Sequence, residues 1–334
     1  MASVLVAFGL LACSGNAVIE ISADPGSGPT RSPAYERFVL DNGLQVVLYQ
    51  DHRIPLVAVN LTYHVGEMHD GAHPGLAHLV EHLMFRGTRN TKDHGFLRQL
   101  QDAGCVGANA STHLDRTEYY TVAPAEQLPL VLWLESDRMG NTARVLSKSH
   151  VSQEVSTTTD EWRTRVASKS YGLAIDQVYA TLFPAPHPHH MAEPSEIARL
   201  QLRHATGFMN RYYGPANATL VLAGDLPANV RETIERAFAR RTGGQRPAER
   251  SAAITRGHAE RTIEVHSEFA TTPLLVLVWP TPGNLQPDDA EARIVADALN
   301  AGPLDALARS PEGEVLIWLR AEQHSSPGQS VFTI

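Results

Sequence analysis

Gly75-Leu76-Ala77-His78-Leu79-Val80-Glu81-His82-Leu83-Met84-Phe85-Arg86-Gly87-Thr88 is the stretch that decides how this chain is read. Leu76, Leu79, Val80 and Leu83 recur at i, i+3, i+4 and i+7, which predicts a helix over 75–85 with one apolar stripe facing a core. His78, Glu81 and His82 fall on the other side. Residues four apart on a helix lie roughly 5 to 6 Å from each other, so His78 and His82 can aim two imidazoles at one ion. Zinc suits two neutral imidazoles, and a catalytic zinc needs a third protein ligand and an open position for water. A nearby carboxylate can take the proton of that water as it attacks a carbonyl, and Glu81 is the candidate base. The competing reading is a surface helix that carries two histidines and a glutamate by accident, as about one sequence in twenty of this composition would.

Working outward, the preceding segment 37–50 holds two apolar runs around Asp41-Asn42-Gly43, a hairpin signal, and 56–65 alternates as a third strand. Downstream, 93–102 is helical, 105–113 and 117–123 read as strands, and 127–139, 148–169 and 204–213 read as helices before a strand at 218–223. The third ligand must come from this region. Glu154 and Glu161 are two helical turns apart on one face, so one could ligate while the other supports a histidine. A solvated helix face is the plain alternative for both.

The charged, Gly-containing run 240–247 predicts a linker. The expected organisation is a leader and linker over 1–33, a zinc-binding peptidase domain over 34–239, and a second unit over 248–334 that stops mid-domain. Strands at 261–266 and 274–279, a helix at 288–299 and a strand starting near 331 make up that second unit. The first residues end in Leu10-Leu11-Ala12-Cys13, similar to a lipoprotein cleavage box, which points to export to the periplasm or cell envelope with a lipid anchor at Cys13. No Lys or Arg precedes that run, against the usual export pattern, and a cytoplasmic chain is the alternative.

A net charge of -8 with no block of Lys and Arg leaves no nucleic-acid footprint. Two cysteines, one of them in the leader, leave no structural disulfide to expect. Cys105 has no activating group in its surroundings, so a small apolar-like strand residue is the reading preferred over a nucleophile. His187, His189 and His190 stand among prolines, which favours a loop over a second metal site.

Several blocks together resemble the pitrilysin or insulinase family of inverzincins, including the β-subunit of mitochondrial processing peptidase and bacterial processing-protease-like enzymes. The opening stretch is similar to the family's metal helix almost throughout. Asn109-Ala110-Ser111-Thr112 with Asp115-Arg116-Thr117 and Tyr119-Tyr120 resembles its active-site strand pair, and Leu134-Glu135-Ser136-Asp137-Arg138-Met139 another block. The run from Tyr213 to Asp225 continues the likeness. The resemblance implies an α+β fold, an antiparallel sheet flanked by helices, one full unit followed by a truncated second one.

It also implies Zn2+ held by His78, His82 and Glu161, with Glu81 as base and Glu154 as a helper. Peptide substrate is expected to add as a strand near Asn109, Ala110 and Ser111. In the family a second half closes the chamber, supplying an arginine and a tyrosine, so a partner chain or a further C-terminal half is expected here. Family members without the motif serve as scaffolds or chaperones, which is the alternative function. A lyase of the S-ribosylhomocysteinase type shares the motif order but is shorter and needs an active cysteine.

Overall fold

The computed structural model describes residues 2–7, 35–184, 187–248, 260–310, 316 and 318–334. In chain order the elements begin with β1 (Ala2–Ala7), β2 (Glu36–Val39), β3 (Gln45–Gln50), β4 (Leu56–Tyr63), α1 (Leu76–Leu83), α2 (Gly95–Asp102), β5 (Val106–Thr112) and β6 (Thr117–Pro124). A helical middle follows: α3 (Leu128–Asn141), α4 (Lys148–Trp162), α5 (Gly172–Leu182), α6 (Pro194–Ile197) and α7 (Leu202–Tyr212). The remainder is β7 (Ala218–Gly224), α8 (Val230–Phe238), β8 (Thr262–Ser267), β9 (Leu274–Pro282), α9 (Asp289–Ala301), α10 (Pro303–Ala308), β10 (Glu322–His324) and β11 (Gln329–Thr333).

The fold is α+β, as expected. The first sheet has six strands in the order β2-β3-β7-β4-β6-β5. All its pairs are antiparallel except β3 with β7, because β7 returns to the sheet only after the whole helical middle and can therefore run either way. Alternate residues Val57, Val59, Leu61 and Tyr63 of β4 are buried, so one face of the sheet packs on helices. The hairpin at Asp41-Asn42-Gly43 forms: Gly43 takes a φ of 90°, and a Cβ there would press on Ala216 Cα at 3.0 Å.

The sequence-expected stripe of α1, Leu76, Leu79, Val80 and Leu83, is buried in the first core, and α1 packs against α4 and α7. A buried ion pair from the Glu135–Arg138 block packs against the rings of Phe85, Phe96 and Tyr119. Arg138 Nη2 donates to Glu135 Oε2 at 2.6 Å, and its guanidinium carbon lies 3.9 Å from the centre of the Tyr119 ring. Burial pushes the Glu135 carboxyl up, and Arg138 opposes that.

The second sheet has five strands in the order β10-β11-β9-β1-β8. Its core joins Val276, Val278 and Val331 to Ala174, Val178, Leu182 and Phe183. The last four come from α5 and its end, which precede the 240–247 segment in the chain. Covering the second sheet is thus the task of a helix from the first part of the sequence. Tyr171 adds a hydrogen bond from its hydroxyl to Thr272 O at 3.0 Å.

Residues 2–7, expected within a leader, form strand β1 between β8 and β9. A short apolar run has no period that separates a leader from a strand. The rest of the expected leader, with Cys13, lies outside the described residues. Among the described residues no helix is long and apolar enough to cross a membrane.

Candidate metal centre

Two helices build the centre. On α1, His78 and His82 are one turn apart and their Nε2 atoms face each other at 3.2 Å. From α4, Glu161 brings Oε2 to 3.5 Å from His78 Nε2 and Oε1 to 3.5 Å from His82 Nε2. Ligand atoms of His78, His82 and Glu161 all lie within 4.8 Å of one another, the one such group of three among the described residues. Seven residues earlier on α4, Glu154 stands behind the histidines: its Oε2 lies 3.1 Å from His82 Nδ1. A proton on Nδ1 shared with that carboxylate leaves Nε2 with its lone pair toward Glu161 and His78.

The electrostatics suit a divalent cation. Burial, with His82 and Arg165 adding to it, lowers His78 to about 4, so its imidazole is neutral at physiological pH. Burial would also lower His82, but the Glu154 hydrogen bond and the charges of Glu161, Glu154 and Glu81 outweigh it and raise the imidazole. Burial would raise Glu154, yet His82 and Arg86 prevail and lower it. Glu161 Oε2 is buried with no hydrogen-bond partner; Arg165 Nη2 approaches it at 3.1 Å without the alignment of a hydrogen bond. Two neutral-capable imidazoles and an unsatisfied carboxylate oxygen are a donor set that fits zinc.

Glu81, one residue before His82, is held from β5. Burial raises its carboxyl, opposed first by Thr112, whose hydroxyl donates to Glu81 Oε2 at 2.6 Å. Thr112 ends β5, and β5 is an edge strand of the first sheet. Asn109, Ala110 and Ser111 lie on β5 after a bulge between Val106 and Asn109; Asn109 is exposed and Ala110 buried. The edge strand β5 and Glu81 are therefore neighbours, next to His82 on α1. A cavity of about 580 Å³ opens beside His78 and Glu161, which line it with Glu67 and Arg165 among others.

Sequence reading missed three supports. Arg86 Nε donates to Glu154 Oε1 at 2.6 Å, and Thr112 holds Glu81. Asp70 accepts hydrogen bonds from the backbone N–H groups of Gly75, Leu76 and Ala77 at 2.7, 3.1 and 2.8 Å, capping α1. The position before a helix is the usual place to look for a cap, and here it is Gly75, so a carboxylate six residues before Leu76 gives no local signal. His189 is buried in a turn with Nε2 2.7 Å from Pro327 O. Cys105, expected in a strand, instead lies one residue before β5, buried, with its thiol pushed up by burial.

Two family profiles match, Insulinase (Peptidase family M16) over residues 45–195 and Peptidase M16 inactive domain over 199–328. This chain belongs to the M16 insulinase family of peptidases. All of His78, Glu81, His82, Glu154 and Glu161 lie inside the first of the two matched regions. Among curated M16 relatives, zinc protease PqqE of Helicobacter pylori is 29% identical over 199 residues, covering 58% of this chain and 44% of that protein. Probable zinc protease PqqL of Escherichia coli is 29% identical over 203 residues, 56% of this chain and 21% of that protein. Cytochrome b-c1 complex subunit 1 of Rattus norvegicus is 28% identical over 195 residues, 58% of this chain and 40% of that protein. The match spans less than half the length of each. The solved structure of a protease from Helicobacter pylori superposes with a TM-score of 0.75 at 23% identity, over 90% of this chain and 74% of that one, which shows a shared fold.

Proposed function

We propose that this M16 chain carries the zinc centre of an endopeptidase that cuts peptides or unfolded segments. The observation that carries the reading is the convergence of His78, His82 and Glu161 within 4.8 Å, with Glu154 braced against the far side of His82. His78, His82 and Glu161 would hold the ion and Glu154 would keep His82 in its ligating tautomer. Zinc, when bound, supplies a Lewis acid that lowers the pKa of its water to about 7. Glu81 takes the proton as general base and passes it to the leaving amine, with the Thr112 hydroxyl keeping the carboxylate aimed. Asn109, Ala110 and Ser111 of the edge strand β5 hold an extended peptide by main-chain pairing, which gives affinity with loose sequence preference.

The first unit, 34–239, is read as the catalytic domain, 240–247 as its linker, and 248–334 as part of a second family unit. A further M16 unit, in the same polypeptide or in a partner chain, completes the chamber in this reading. The solved structure of PqqL from Escherichia coli is described as a periplasmic protease, which supports the periplasm as the compartment.

Similarity to a protein named as a subunit of the cytochrome b-c1 complex favours a second reading, a partner-dependent subunit acting as a scaffold. Zinc content and cleavage of a quenched fluorescent peptide separate the two. Cleavage that needs zinc and is abolished in Glu81→Gln, with the ion retained, is the expected result. A chain that binds no zinc, or a Glu81→Gln variant as fast as wild type, overturns the mechanism.

A further inference from the structure

We propose that the cavity beside His78 and Glu161 is a subsite selective for an acidic side chain of the peptide, held by Arg165 and Lys169. The inference rests on the peptidase reading and adds a substrate class to it. Arg165 and Lys169 are four residues apart, the first inside the π-helical turn Arg163–Ala167 that follows α4 and the second just after it, and both line the cavity. A π turn widens the helix and swings the side chains after it out of the register that α4 imposes on Glu154 and Glu161.

The cation chemistry of this wall is unspent. The Arg165 side chain is 70% exposed, and its ion pair among the described residues is with Glu161, the carboxylate that would serve the metal. That ion pair lacks the alignment of a hydrogen bond, so the guanidinium fork keeps its N–H donors free for a carboxylate of the substrate. Lys169 makes no ion pair among the described residues. Trp162 lines the same cavity, and its buried Nε1 has no hydrogen-bond partner.

Two carboxylates besides Glu161, Glu67 and Asp176, line this cavity. Burial and the charge of Glu81 push Glu67 up to about 7, and burial and Glu193 push Asp176 up. Ile175 and Met191 supply apolar wall for the methylene groups of a glutamate. At about 580 Å³ the cavity falls in the range, about 300 to 1,000 Å³, of ordinary ligand sites.

The test uses the full zinc-loaded chain and peptides that differ at one residue, Glu, Gln or Lys, placed in turn on each side of the scissile bond. At the responsive position the Glu peptide is expected to be cut with roughly five- to tenfold higher kcat/KM than the Gln peptide, through KM. The preference disappears in Arg165→Ala/Lys169→Ala and turns toward the Lys peptide in Arg165→Glu/Lys169→Glu, with zinc content checked in each. Fluorescence anisotropy of the same peptides on Glu81→Gln gives a readout independent of turnover. Equal cleavage and equal Kd for the three peptides overturn the subsite and leave the peptidase reading standing. If none is cut, the peptidase reading fails, and the anisotropy series alone decides the subsite by whether the Glu peptide binds tightest.

Discussion

His82 Nδ1 lies 3.1 Å from Glu154 Oε2, while Arg86 Nε donates to the other oxygen of the same carboxylate at 2.6 Å. Glu154 is thus clamped from two sides, by a residue of α1 and by one just after it, and the clamp fixes the ring of His82. Partners of this kind are worth roughly 10- to 100-fold in metal affinity. Glu154→Gln keeps the shape and loses the charge, so zinc affinity measured by chelator competition is expected to fall by about that factor. An unchanged affinity in a variant with wild-type circular dichroism would sink the idea that Glu154 steadies the ligand.

In the proposed mechanism Thr112 sets the acid side of the pH profile. Its hydroxyl lowers a Glu81 carboxyl that burial raises, and the base works only when deprotonated. In Thr112→Val the carboxyl rises further, so the acid limb of kcat/KM moves to higher pH, by about one unit for a hydrogen bond to a charged group. A limb that stays put or moves down contradicts the assignment of Glu81 as the base that titrates there.

Stability is expected to depend on the buried ion pair of α3. Glu135 and Arg138 have side chains 3% and 2% exposed, so removing one leaves a charge stranded in the core. Arg138→Met is expected to cost about 3 to 5 kcal/mol in denaturant unfolding, and adding Glu135→Leu is expected to recover most of it. Equal stability of Arg138→Met and wild type would show that the pair is dispensable.

How much of this could be read before folding depends on sequence distance. The helix around His78 and His82 was legible because a stripe of Leu76, Leu79, Val80 and Leu83 and a spacing of four are properties of one element. The reach of Thr112 to Glu81, of Arg86 to Glu154 and of Asp70 to the start of α1 joins residues that no periodicity connects. The sequence left Glu154 and Glu161 as two acids on one face, separated only by resemblance to a family.

By itself, then, the sequence determined the helix period, the histidine and glutamate types of the candidate centre and the alternation of the strands, because each depends on neighbours along the chain. Tertiary structure alone decided that Glu161 faces both Nε2 atoms while Glu154 backs His82, that β5 lies at a sheet edge, and that α5 covers the second sheet. The physical reason is that spacing encodes which residues share a face, whereas the distance between two faces is set by how α1, α4 and the sheet pack around one core.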